Sequence, residues 1–104
     1  MEKQDAFTQA LLRAMDAAEQ EAGVRQPRLR RAVEQYGGIS AVRELCRRGQ
    51  VSDGFDQLAG LGKLALSAEA LAVSAKFNAC FTDDEVNHCF AQLCAANYFG
   101  KARF

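Results

Sequence analysis

Phe81-Thr82-Asp83-Asp84-Glu85-Val86 is the stretch from which the fold of this chain is read. Thr82 at the helix start and Glu85 three residues on form a capping box, each side chain satisfying a backbone N–H that the first turn leaves without a partner. Phe81 and Val86 flank the box at the positions of a hydrophobic staple, and Asp83 and Asp84 suit the positive end of the helix dipole. Val86, Cys89, Phe90, Leu93 and Asn97 then run down one face toward Tyr98, which predicts a helix over 83–97.

Working outward, the same kind of punctuation recurs. Ser67 predicts a helix start with Glu69 in its first turn, Leu71 and Val73 within it and Phe77 in the turn beyond. Lys63-Leu64-Ala65-Leu66 reads as an extended connector. Ser52-Asp53-Gly54 opens a short helix carrying Phe55, Leu58 and Leu61, with Gly62 as its stop. Before it, Ser40 to Arg48 forms a helix burying Val42, Leu45 and Cys46, closed by Gly49. Pro27 suits the first turn of a further helix, where its missing N–H costs nothing, with Leu29, Val33 and Tyr36 as the apolar face and Gly37-Gly38 as the break. Over residues 4–22, Phe7, Leu11, Ala14, Met15, Ala18 and Ala22 recur at spacings of three and four, and Gly23 ends the run. No strand pattern, internal repeat or linker interrupts this series. The expected fold is all-α, a compact single-domain bundle of about six helices, several of them short, spanning residues 1–104.

Composition agrees with a small globular unit. The 104 residues are 49% hydrophobic and 25% charged, and 13 Lys+Arg balance 13 Asp+Glu, so no global field announces a nucleic-acid or membrane partner. The apolar runs are far shorter than the roughly 20 residues of a membrane span. The polar start, Met1-Glu2-Lys3-Gln4-Asp5, does not read as a signal peptide. A soluble cytoplasmic domain is expected.

The residues that carry chemistry are few. Cys46, Cys80, Cys89 and Cys94 read as small apolar side chains in a reducing compartment. A zinc site from Cys80, His88, Cys89 and Cys94 would need four converging ligands, and Cys89 and Cys94 fall about 140° apart on a helical wheel, too far to share a metal unaided. His88 falls on the solvent face near Glu85 and Gln92, with no serine or cysteine placed as its nucleophile. Capping accounts for Asp83, Asp84 and Glu85, and Ser40, Ser52, Ser67 and Thr82 read as helix-start residues. Gly54, Gly60 and Gly62 make no phosphate loop. A non-enzyme without metal or cofactor is expected.

Charge distribution gives the positive hint. Residues 1–24 and 49–104 are net acidic, at −3 and −2. Residues 25–48 carry Arg25, Arg28, Arg30, Arg31, Arg43, Arg47 and Arg48 against Glu34 and Glu44, net +5. Guanidinium groups favour bidentate contact with phosphate or carboxylate. Residues 27–48 also have the outline of a helix-turn-helix, whose second helix would present Ala41, Arg43, Glu44 and Arg47 to a DNA groove. Against that, Arg30/Glu34 and Glu44/Arg48 can pair locally, and the domain is neutral, unlike most autonomous DNA binders. Leu12 lies off its helix's stripe, and Phe99 and Phe104 lack places on the helical faces. Aromatic and arginine side chains are favoured interface anchors. A protein partner is therefore the leading expectation, through Arg28, Arg31, Arg43, Arg47, Arg48, Leu12, Phe99 and Phe104, with a second copy of the chain among the candidates. DNA binding by the central arginines is the alternative.

From Tyr36 to Tyr98 the chain resembles an uncharacterised bacterial helical module. The shared pieces are Gly37-Gly38-Ile39-Ser40-Ala41, Ser52 to Phe55, the Gly-Lys/Arg-Leu-x-Leu-Ser-x-Glu-Ala-Leu segment of Gly62 to Leu71, Phe81 to Glu85, and Leu93 to Tyr98. Ala59 stands where the module usually has Trp, and Ala65 where it usually has Asp, so the contacts those residues serve are absent here. Such modules occur alone or beside restriction-type nuclease and other mobile-element genes. The resemblance implies a small regulator or inhibitor in a defence or counter-defence setting.

Overall fold

The apolar stripe of the first helix sets the architecture. The computed structural model of the protein describes residues 6–96 and residue 98. The stripe lies on α1 (Ala6–Ala22) and buries Phe7, Leu11, Met15 and Ala18. Five further α-helices follow, α2 (Pro27–Tyr36), α3 (Gly38–Arg47), α4 (Phe55–Gly60), α5 (Ala68–Val73) and α6 (Asp83–Ala95). Single 3-10 turns occupy Leu64–Leu66 and Asn78–Cys80. Among the described residues there is no strand, and no helix is long and apolar enough to cross a membrane.

The core has two lobes with α1 lying along both. At its N-terminal half, Phe7, Leu11 and Met15 pack with Leu29 and Val33 of α2, Ala41 and Val42 of α3, and Phe77, Phe81 and Cys89. The ring of Phe7 meets Phe77 and Phe81 edge-on, at centroid distances of 5.4 and 5.1 Å, the arrangement that the ring quadrupole favours. At the other end, Ala18 joins Val24, Phe55, Leu58, Leu64, Ala70 and Leu93. Leu12, off the stripe, is half-buried against the first lobe rather than held out for a partner.

Local chemistry explains the boundaries. At α6 both halves of the capping box are made: Thr82 N–H donates to Glu85 Oε1 at 2.8 Å, and Glu85 N–H to Thr82 Oγ1 at 3.2 Å. Phe81 and Val86 pack into the same lobe, as a staple requires. Ser67 caps α5 through Ala70 N–H at 3.1 Å. Gly49, at φ +67°, closes α3 in a Schellman motif, with Gln50 N–H on the Leu45 carbonyl and Gly49 N–H on that of Cys46. At the α2–α3 corner Gly37 takes φ +88°. The next residue, Gly38, lies against α1, its N–H donating to Thr8 Oγ1 at 2.8 Å.

Several sequence expectations need correction. Residues 64–66 form a 3-10 turn rather than an extended connector, because Ser67 Oγ and N–H both bond back to the Leu64 carbonyl. Tyr36, the last residue of α2, is 67% exposed, and Phe90, at the edge of its stripe, is 48% exposed. Leu61, expected on the inner face of its helix, is exposed as the residue that ends α4. Tyr98, toward which the stripe of α6 runs, is exposed, although its backbone N–H returns to the Leu93 carbonyl. Finally, Ser40 lies inside α3 and Ser52 does not start a helix, since Gly37 and Gly54 hold the N-cap positions of α3 and α4.

Candidate interaction face

Helix α2 begins without a cap of its own. Gln26 makes no side-chain cap, and Pro27 at the first position has no N–H to satisfy. The next two amides are met from far along the chain. The Asp53 carboxylate accepts from Arg28 N–H at 2.9 Å and from Leu29 N–H at 3.2 Å, and Gln26 Nε2 donates to the Asp53 carbonyl at 2.8 Å. A carboxylate here also complements the helix dipole. Residues 50–53 are thereby fixed across the α2–α3 pair and wall a groove of about 190 Å³.

The groove has an apolar floor of Leu29, Ala32, Ala41, Leu45 and Val51, and its rim carries Tyr36, Arg28, Arg48, Glu44 and Asp53. Beneath the wall lies a buried polar cluster. Glu69, 2% exposed, receives Ser52 N–H on Oε2 at 2.7 Å and the Ser52 hydroxyl on Oε1 at 2.8 Å. Burial pushes the Glu69 carboxyl above its usual range, and the two Ser52 donors, the Glu69 backbone N–H and the charge of His88 pull against that shift. His88 Nε2 lies 3.0 Å from the Gln50 carbonyl. A carbonyl only accepts, so Nε2 carries the hydrogen. His88 is half-buried rather than on an open solvent face. One polar wall is thus held from below by α5 and α6 and from the side by α2.

The arginines divide into two groups. On α3, Arg47 Nη2 lies 2.6 Å and Arg48 Nε 2.7 Å from Glu44 Oε2, and these two hydrogen bonds hold the Glu44 carboxyl below its usual range. Arg43 reaches Glu85 Oε1 at 3.3 Å and the Cys80 carbonyl at 3.2 Å, tying α3 to the capping box of α6. On α2, Arg30 pairs with Asp16 at 2.9 Å rather than with Glu34. Arg28 and Arg31 are exposed on α2 and have no carboxylate partner among the described residues. Of the expected partner-binding residues, the fold brings Arg28 and Arg48 together on the groove rim. Arg43 and Arg47 line a separate, more open groove of about 500 Å³ between α3 and the start of α6. Phe99 and Phe104 lie outside the described residues. Ala41, expected on the outer face of a recognition helix, is buried in the core.

Sequence reading missed Glu69, Ser52 and Asp53. Each looked like an ordinary helix-start residue, and their partners lie 17 to 27 residues away, beyond any local pattern. The four residues weighed as zinc ligands do not converge. Cys89 instead lies beside Cys46, and no group of three or more His, Cys, Asp or Glu side chains is arranged to hold a metal among the described residues. In comparisons with protein-family models, with curated proteins and with solved structures, no match to this chain was found.

Proposed function

We propose that the chain acts by binding a protein through the α2–α3 groove, as a small non-catalytic regulator. The observation that carries this reading is the combination on one face of an apolar floor with an exposed Tyr36 and arginines on the rim. An apolar side chain from a partner would be desolvated on Leu29, Leu45 and Val51 and covered by the Tyr36 ring, the composition from which interface anchors are made. Arg28 and Arg31, which have no carboxylate partner among the described residues, favour a partner segment in which an apolar residue is flanked by Asp or Glu. The wall is held by Glu69, His88 and Asp53 contacts, so little ordering remains to be done on binding.

The paired arginines of α3 bear on the DNA alternative. Arg43, Arg47 and Arg48 already contact carboxylates of the same chain, and a phosphate would have to compete with each. A role in defence or counter-defence belongs to this proposal through the resemblance to the bacterial helical module alone.

The test is site-specific photo-cross-linking from position 36 in the native host, with the exposed position 76, which does not line this groove, as control. A discrete cross-linked protein from position 36, lost when Arg28→Glu is added, supports the proposal. Equal capture from both positions, or none together with DNA retention that weakens steeply with salt and is abolished by Arg43→Glu with Arg47→Glu, overturns it.

A further inference from the structure

Cys46 on α3 and Cys89 on α6 face each other with their sulfurs 3.7 Å apart. We infer that this pair is a peroxide-reactive dithiol, in which Cys46 is the attacking thiolate and Cys89 the resolving thiol. The inference is independent of the docking proposal.

Three features of the geometry support it. The first is separation. A disulfide needs its sulfurs at about 2.05 Å, so the pair must close by less than two ångströms, a shift within reach of side-chain rotation. The second is asymmetry of access. Cys46 is half-buried and opens into the groove between α3 and the start of α6, whereas Cys89 is 2% exposed behind it. A small oxidant arriving through the groove meets Cys46 first. The third is electrostatic. Either thiol can donate in the Cys46–Cys89 contact, and the Cys46 S–H also reaches the Glu85 carbonyl at 3.6 Å; with Cys89 as donor, the hydrogen bond between them draws the Cys46 thiol below its ordinary range while pushing Cys89 above it. Arg43 and Arg47 line the same groove, paired there with Glu85 and Glu44. Desolvation and the carboxylates of Glu85 and Glu69 oppose the shift and are outweighed.

The chemistry balances with hydrogen peroxide as the oxidant. The Cys46 thiolate attacks one peroxide oxygen, the O–O bond breaks, and hydroxide leaves to take a proton as water, giving a sulfenic acid. Cys89 gives up its proton and attacks the Cys46 sulfur, the S–O bond breaks, and a second water leaves with the disulfide formed. Two thiols are oxidised by two electrons and one peroxide is reduced to two waters. The resulting bond would staple α3 to α6.

The test uses the reduced full-length chain. It is exposed to stoichiometric hydrogen peroxide, its remaining thiols are alkylated under native conditions, and peptides are mapped by fragmentation mass spectrometry. The expected result is loss of two free thiols per peroxide, a Cys46–Cys89 cross-link, and Cys94 still alkylated. In Cys89→Ala the reaction should stop at a Cys46 sulfenic acid that dimedone traps. Oxidation of exposed Cys94 ahead of Cys46, or a bridge from Cys46 to Cys80, overturns the inference. The wild-type mapping decides the matter even if Cys89→Ala folds poorly.

Discussion

Ser52→Ala tests the buried Glu69 cluster most directly. The substitution removes the hydroxyl that donates to Glu69 Oε1 at 2.8 Å but leaves the Ser52 N–H on Oε2 at 2.7 Å. A hydrogen bond to a charged group contributes about 1.5–3 kcal/mol. In a domain of this size, about 2 kcal/mol lowers Tm by roughly 10 °C. The loss depends on pH, with a definite sign. Burial raises the folded-state carboxyl above the ordinary 4.5 of a glutamate, so the stability associated with Glu69 is fully present below that value. It is lost as pH rises through the raised folded value, because the native state there holds a proton that the unfolded chain releases. Removing a donor that opposes the shift raises the folded value further and extends the fall to higher pH. Urea denaturation followed by helical circular dichroism at about pH 4 and about pH 8 measures both effects. Ser52→Ala should be close to wild type at the lower pH and clearly weaker at the higher one. Equal stability at about pH 8, or the same deficit at both values, would refute the reasoning.

Other substitutions probe the remaining contacts. Asp53→Ala removes both acceptors from the start of α2 and should cost about 1–2 kcal/mol, with the Arg28 and Leu29 amides losing hydrogen-exchange protection before those of α6. Thr82→Ala should cost about 1 kcal/mol in thermal melts by opening the capping box. Gly38→Ala places a Cβ 3.0 Å from the Thr8 Cα and Oγ1 and 3.1 Å from the Phe7 ring. Because the Thr8 backbone is held within α1, this should cost about 1–3 kcal/mol, despite the better helix propensity of alanine; a higher Tm would show that α1 can yield. Tyr36→Ala should change stability by less than about 0.5 kcal/mol yet lose co-purification of the partner identified by cross-linking, which separates binding from folding.

What could be read from the sequence was what is encoded locally. The capping box of Thr82 and Glu85, the cap at Ser67 and the helix ends at Gly49 and Gly62 each lie within a few residues of the groups they satisfy. The core stripe of α1 was legible for the same reason, since helical period alone brings Phe7, Leu11, Met15 and Ala18 to one side. Tyr36 and Phe90 had suitable spacing, but which edge of a stripe is covered depends on the angle at which a neighbour crosses it. Glu69 had a sufficient local explanation as a first-turn acid, which concealed its burial against Ser52. The central arginines were visible as charge, but their carboxylates on α1 and α6 were assigned only by tertiary contact.

The remote cap on α2 has a consequence for how the protein can be divided. The arginine-rich segment cannot be cut out as a working helix pair, because a peptide ending near residue 48 leaves behind the Asp53 acceptors that hold the first turn of α2. Chimeras that transplant residues 27–48 alone should therefore carry a frayed entry helix. Those that extend through residue 53 should keep it wound, so the smallest transferable unit is set by a carboxylate downstream of the helices it organises.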